Sequence, residues 1–266
     1  MTSSLKPLAG KVAVVTGGGT GIGEACVRLL TAQGATVGVL GRRRELVETV
    51  AARHGGFALV ADASQEADMQ RAIATVIERH GRLDILIANA GGYGQGTCTE
   101  TSVEDWHKAF EANLNTAFIS ARAALPHLIA QRGTIVFLAS IAALAAGPQV
   151  CGYTTFKHAL IGLSRSLARD YGPLGVRSNV VCPGWVRTPM ADEEMQPLMA
   201  QHGISLDDAY ALVTGDVPLR RPAEPAEIAE VCAFLASPAA SIVTGAVLTA
   251  DGGATAVDVP TLVFSR

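Results

Sequence analysis

The feature that most limits the fold of this chain is a series of short, mainly apolar runs. They are VAVVT (12–16), TVGVL (36–40), FALVA (57–61), DILIA (84–88), TIVFLA (134–139), VRSNVVC (176–182) and AVLTA (246–250). A strand with one face in water alternates apolar and polar residues, whereas a strand covered on both faces does not. Helical patterns separate the runs, near 22–33, over RRRELVETVAARHG, at 66–80, over roughly 103–130, from 151 onward and near 225–236. This alternation predicts an α/β fold, a doubly wound parallel sheet of about seven strands with right-handed crossovers and helices on both faces. Hydrophobic residues make up 49% of the 266, enough for a large core. No Pro/Ser-rich linker or repeat divides the chain, so residues 1–266 read as one domain. The rhythm breaks at 188–216, where Pro189, Pro197, Gly203 and Gly215 interrupt short helical pieces.

Several function classes lose support here. A formal net charge of −3 provides no electrostatic reason to expect nucleic acid or an anionic membrane. The longest apolar stretch, IVFLASIAALAAG, is too short to cross a bilayer. MTSSLKPLAGK lacks the apolar core of a signal peptide. Five scattered cysteines without a C-x-x-C pair fit reduced thiols and a cytoplasmic location. The six histidines show no ligand spacing, so no metal is expected.

TGGGTGIG (16–23) lies between the first strand pattern and the first helix pattern. Gly17, Gly21 and Gly23 allow turns and close approaches that a Cβ would block. The helix start behind them offers N–H groups and partial positive charge to a pyrophosphate. In that context the loop predicts nucleotide binding and a Rossmann-type sheet, although the spacing is G-x-x-x-G-x-G instead of G-x-G-x-x-G. Folds of this kind that use NAD place an acid after the second strand to hold the ribose 2′-OH. Here Gly41 is followed by Arg42, Arg43 and Arg44, with no carboxylate in that stretch to repel a 2′-phosphate. NADP(H) is therefore favoured, with NAD(H) as the alternative. The arginines also suit the solvated start of a helix.

Tyr153 and Lys157 stand one helical turn apart on one face of CGYTTFKHALIG (151–162). Taken alone, a surface Tyr and a solvated Lys are the commoner explanation of that spacing. Ser140 follows a strand pattern, at the carboxyl edge where open α/β sheets bind ligands, and such a serine also suits a turn or helix cap. A tyrosine titrates near pH 10, and a nearby ammonium would favour its phenolate. The Ser140 and Tyr153 hydroxyls would then form an oxyanion-type pair for a reacting oxygen.

These motifs, with Asp62, NAG (89–91), Asn113 within ANLN and PGWVRT (183–188), resemble in order and spacing the short-chain dehydrogenase/reductase family. The resemblance spans about residues 8–253 of the single-domain form and extends to members like 3-oxoacyl carrier-protein reductase. It implies an NAD(P)-dependent oxidoreductase that moves hydride between the cofactor and a ketone or secondary alcohol. Gly17, Gly21, Ile22 and Gly23 would approach the phosphates. Thr20 stands where some NADP-using relatives carry a basic residue. Asp62 and Ala63 would lie near the adenine, with Arg42 and Arg43 at the ribose phosphate. Asn89, Ala90 and Gly91 would border the ribose, with Asn89 also tying neighbouring strands. Pro183, Gly184, Val186 and Thr188 would surround the nicotinamide. Asn113, Ser140, Tyr153 and Lys157 would form the catalytic set. In that set Lys157 also holds the ribose, and Asn113 helps hold a water that links the lysine to solvent.

Gly92, Tyr93, Gly94, Gln95, residues 142–150, Trp185, Met190 and Met195 are expected around a small-molecule carbonyl or alcohol substrate. The segment 188–216 is expected to act as its lid. Most of these residues are apolar, which suggests a hydrophobic substrate. Arg187 could meet a carboxylate or carrier phosphate, or lie on the surface. Family resemblance also implies a homotetramer, with a dimer second. A nucleotide sensor without turnover is the rival reading, and the Asn–Ser–Tyr–Lys set argues against it.

Overall fold

The computed structural model describes residues 6–265 apart from Tyr93. Seven strands form one sheet: β1 (Val12–Thr16), β2 (Thr36–Gly41), β3 (Phe57–Val60), β4 (Ile85–Ala88), β5 (Thr134–Leu138), β6 (Arg177–Pro183) and β7 (Val247–Ala250). Their order is β3-β2-β1-β4-β5-β6-β7, and every pairing is parallel. The order reverses direction between β1 and β4, which opens a crevice at the carboxyl ends of those strands.

The apolar character of the strands has a direct cause. Successive side chains point to opposite faces, and both faces are covered. Val12, Val14, Leu86, Ile135, Phe137 and Val180 enter a core shared with helices α3 (Glu66–His80), α5 (Thr116–Gln131) and α6 (Cys151–Tyr171). Their neighbours Ala13, Val15, Ile87, Val136 and Val181 enter the opposite core. There they meet α1 (Gly21–Ala32), α2 (Arg44–His54) and α9 (Pro225–Ala236). Each large side chain so buried contributes roughly 1.5–3 kcal/mol. The edge strands β3 and β7 are covered less completely.

The helical pattern over 103–130 divides in two. α4 (Val103–Phe110) and α5 are joined by a π-helical turn, Glu111–Asn115. Its sequence, EANLN, places side-chain amides where they compete with the backbone. Asn113 Nδ2 donates to the carbonyl of Ala109 at 2.9 Å. Thr116 Oγ1 donates to that of Ala112, also at 2.9 Å.

Residues 188–216 form α7 (Pro189–His202) and α8 (Leu206–Val213), which share a small core of their own. Ala191, Met195, Ala209 and Tyr210 are its buried centre, with Trp185 packed against it. Met195 and Trp185 were expected on a substrate wall. Helical periodicity instead turns Ala191 and Met195 inward together, one turn apart.

At the opposite, amino-terminal end of the sheet, Asp84 is a buried carboxylate. It accepts from Lys11 Nζ at 2.9 Å, the Val12 N–H at 3.0 Å, and Arg82 Nε and Nη2 at 2.8 and 2.6 Å. Burial would raise its pKa, but these hydrogen bonds outweigh it and hold the carboxyl below its usual range.

Candidate active site

The crevice encloses about 930 Å³. Of the residues called as cofactor contacts, Gly17, Thr20, Gly21, Ile22, Arg42, Arg43, Asp62, Ala63, Asn89, Ala90, Gly91, Tyr153, Lys157, Pro183 and Thr188 line it. The glycine loop is shaped as a cradle that side chains would fill. Gly17 and Gly21 have φ of +63° and +55°. A Cβ on Gly17 would lie 2.8 Å from Asn89 Nδ2, and one on Gly21 would lie 3.1 Å from Thr188 Cγ2. The Thr20 side chain makes no capping bond at the start of α1. That helix end presents its dipole to the crevice. This arrangement fits a dinucleotide pyrophosphate.

Three called residues do not line the crevice. Gly23 instead permits packing, since a Cβ there would meet the Gly17 carbonyl oxygen at 2.1 Å. Gly184 lies against Asp251, where a Cβ would meet the aspartate Cα at 3.0 Å. Val186 is buried in the core beneath α9 and bridges to Ala223.

Asn89 joins the ends of two strands and the loop. Its N–H donates to Thr16 Oγ1 at 3.1 Å, and its Nδ2 to the carbonyls of Thr16 and Gly17 at 3.0 and 3.1 Å. Thr16, which sequence reasoning did not single out, also accepts from the Ala90 N–H at 3.0 Å.

The glycine-rich loop after β4 builds the start of α6. Val150 caps that helix with no side-chain bond. Instead the N–H groups of Cys151 and Tyr153 donate to the carbonyls of Gly96 and Gly94 at 3.2 and 3.3 Å. Gly94 has room for nothing larger, because its Cβ would meet Ala109 Cβ at 2.5 Å. Tyr153 is thus held at the crevice by the same loop that borders it. Tyr93 of that loop lies outside the described residues.

Lys157 is buried and donates to the Leu138 carbonyl at 3.0 Å. Burial lowers its pKa to about 8. Its Nζ lies 5.5 Å from the centre of the Tyr153 ring. Ser140 both caps the short turn Ile141–Ala143, through the Ala142 N–H at 3.1 Å, and hydrogen-bonds Tyr153. Asn113 is buried, and its Oδ1 accepts from the Gly92 N–H at 3.3 Å. A Cβ on Gly91 would lie 3.4 Å from Lys157 Nζ and 3.6 Å from Asn113 Oδ1, so these two polar atoms flank one glycine. The four residues called as a catalytic set therefore converge from β5, α6 and the π turn.

Three expectations need correction. The Tyr153 pKa is raised, not lowered. Burial pushes it up, the Ser140 hydrogen bond opposes this, and the negative charge of Glu194 adds to the rise. Second, a carboxylate does reach Arg42. Asp62, from beyond β3, places Oδ2 3.8 Å from the guanidinium, whose side chain is 78% exposed. Third, Arg187 is not free for a substrate anion. It pairs with Asp207 at 2.6 Å, approaches Glu224 at 3.9 Å and covers the Tyr210 ring at 4.7 Å. The crevice also includes His107 and Lys108 from α4 and Glu111 from the π turn. Nothing in their spacing marked them.

Comparison with known proteins matches this geometry. A family model described as enoyl-(acyl carrier protein) reductase matches residues 17–255. The chain belongs to the short-chain dehydrogenase/reductase family. It is similar to the protein MoaE of Klebsiella aerogenes, with 53% identity over 96% of this chain and 99% of that protein. It is 37% identical to meso-2,3-butanediol dehydrogenase of Serratia marcescens, over 93% of this chain and 96% of the enzyme. Among solved structures, an actinorhodin polyketide ketoreductase with NADPH superposes with a TM-score of 0.87 and 31% identity, covering 91% of this chain and 96% of that one. The protein is an oxidoreductase of this family acting on alcohol or ketone substrates, and the family uses NAD(P)(H). Among the described residues no helix is long and apolar enough to cross a membrane.

Proposed function

We propose that the protein is an NADP(H)-dependent carbonyl reductase or secondary-alcohol dehydrogenase with Tyr153 as its proton donor and acceptor. The observation that carries this reading is that Tyr153 and Lys157 line the same crevice as the glycine cradle, with Ser140 hydrogen-bonded to Tyr153 and Asn113 Oδ1 flanking Gly91 together with Lys157 Nζ. Gly17, Gly21 and Ile22 would receive the pyrophosphate, Asn89 to Gly91 and Lys157 the ribose, and Pro183 and Thr188 the nicotinamide. The bound nicotinamide supplies or accepts the hydride at the carbonyl carbon. In reduction, C=O becomes CH–OH as the Tyr153 phenol releases its proton to the oxygen. The Ser140 hydroxyl donates to the same oxygen and shares its developing charge. Burial raises the Tyr153 pKa and so weakens the phenol as a donor, and the Ser140 hydrogen bond opposes that rise. Lys157, with its pKa lowered to about 8, can return a proton to the phenolate left on Tyr153.

Arg42 and Arg43 favour the 2′-phosphate, because exposed guanidinium groups can bind it in bidentate fashion. The contact between Arg42 and Asp62 supports NAD(H) as the second reading, since Asp62 can accept from a ribose hydroxyl. The whole chain acts as one catalytic domain, with 188–216 as a substrate lid. Assembly as a homotetramer is supported by exposed apolar residues late in the chain, including Ile242, Val259 and Phe264. Light scattering would read that mass. A panel of ketones and alcohols followed at the nicotinamide absorbance, with NADPH and NADH in parallel, tests the activity. No turnover with either cofactor would sink the reading.

A further inference from the structure

A second cavity opens at the amino-terminal end of the sheet and encloses about 570 Å³. Its walls come from the amino ends of β4, β5 and β6 and from the carboxyl ends of α5, α6 and α9. Ile85, Thr134 and Arg177 stand in register across the three strands. Side chains in register share a face of the sheet, and Ile85 belongs to the core beneath α9, so all three point toward that helix. Arg177 accordingly donates to the carbonyls of Leu235 and Ser237, at the end of α9, at 2.8 and 3.2 Å. All three residues line the cavity.

Three polar groups there lack a complementary partner. Thr134 is 2% exposed, and its hydroxyl has no hydrogen-bond partner. Arg177 is half-buried and bonds only to carbonyls, with no carboxylate among the described residues to balance its charge. The Arg132 guanidinium makes no hydrogen bond or ion pair among the described residues.

Arg132 is also conformationally unusual. It caps α5 in the left-handed region, with φ of +51°, where glycine is the common residue. Its stem lies along Gly175, since a Cβ on that glycine would come within 2.8 Å of Arg132 Cγ. Both residues line the cavity, so the stem runs beside it. Asp84 lines it too, but Lys11 and Arg82 already hold both of its oxygens. The site therefore presents positive charge. Three helix carboxyl ends add partial negative charge, which opposes a dianion more than a monoanion. Leu8, Ile85 and Val176 supply apolar wall.

We propose that this cavity binds the carboxylate of a small amphipathic acid, held by Arg132 and the Thr134 hydroxyl with Arg177 behind them, while its short hydrocarbon part lies against Leu8, Ile85 and Val176. None of these residues lines the crevice, so the site is separate from the carbonyl–alcohol reading and does not rest on it.

Hexanoate, 1-hexanol and inorganic phosphate are titrated into protein carrying labelled isoleucine methyl groups. Ile85 and Ile242 report the second cavity, and Ile22 reports the crevice. Hexanoate should shift Ile85 and Ile242 and leave Ile22 in place. 1-Hexanol should bind about ten-fold more weakly, because it lacks the charge. Arg132→Gln should weaken hexanoate by about ten-fold, and Thr134→Val, which keeps the shape, by about three-fold. Shifts confined to Ile22, equal affinity for the acid and the alcohol, or an unchanged Kd in either variant overturns the proposal. Tighter binding of phosphate than of hexanoate at Ile85 and Ile242 also overturns it, in favour of a phosphate site.

Discussion

Two buried charges at opposite ends of the sheet are treated in opposite ways. Asp84, at the amino end, is surrounded by Lys11, Arg82 and the Val12 N–H, and its pKa falls. Lys157, at the carboxyl end, has the Leu138 carbonyl as its hydrogen-bond partner among the described residues, and its pKa falls to about 8 because burial disfavours its charge. Both groups are shielded from water. The first is satisfied and serves stability. The second is left able to change its protonation near neutral pH, which is a property a proton-transfer site needs. An incompletely paired charge thus marks a candidate site better than burial alone does.

The largest expected effect breaks the carboxyl end alone. Tyr153→Phe should cut turnover by roughly 10²–10⁴-fold, the span of general acid–base catalysis, with cofactor affinity by fluorescence titration nearly unchanged. Full activity in that variant would remove Tyr153 from the chemistry.

Asp84→Ala should break the other end. Leaving the buried Val12 N–H without its acceptor, beside a half-exposed Lys11 and Arg82, should cost about 1–3 kcal/mol in urea unfolding, with little change in activity per folded molecule. The Asp84 contribution should also depend on pH. Its folded pKa lies below the unfolded value, so its stabilisation is present above the ordinary carboxylate range and is lost as pH falls through the folded pKa. An unfolding free energy for Asp84→Ala that matches wild type would mean the cluster is worth little.

Lys157→Met should move stability the other way. A pKa lowered from 10.5 to about 8 corresponds to about 3 kcal/mol of disfavoured charge. Losing the bond to Leu138 returns about 1 kcal/mol. The variant should therefore be inactive yet about 2 kcal/mol more stable at pH 7 by the same sum. Between about pH 8 and 10.5 the unfolded chain binds more protons at this lysine than the folded one. Its contribution therefore makes wild-type stability rise with pH through that window. A less stable Lys157→Met would show that the ammonium is better paired than its surroundings indicate.

The smallest effect concerns the cofactor end of the crevice. Arg42→Ala should shift the NADPH-to-NADH preference by about ten-fold, or ~1.4 kcal/mol, toward NADH. Equal changes in KM for both cofactors would mean that Arg42 does not read the phosphate and would favour the Asp62 reading.

Much of this was legible along the chain because it depends on near neighbours. The glycine loop, the apolar strands and the one-turn spacing of Tyr153 and Lys157 follow from strand and helix periods of a few residues. The hydrogen bond between Ser140 and Tyr153 needed β5 and α6 side by side. The π turn at Glu111–Asn115 was hidden because its sequence reads as ordinary helix until Asn113 takes the Ala109 carbonyl. The meeting of Arg42 and Asp62 joins the ends of β2 and β3, twenty residues apart in sequence, and adds a carboxylate that the stretch after β2 alone does not show.

Chain order and residue type were sufficient for the fold and for most of the residues that line the crevice, since local periodicity decides which faces must be buried; they did not mark His107, Lys108 or Glu111. They were not sufficient for the ionisation of those residues. Whether Tyr153 sits above or below its ordinary pKa and whether Arg187 is free both depend on distances between elements far apart in sequence. Electrostatic energies are sums over neighbours in space, weighted by exclusion of water, and no spacing along a chain encodes that sum.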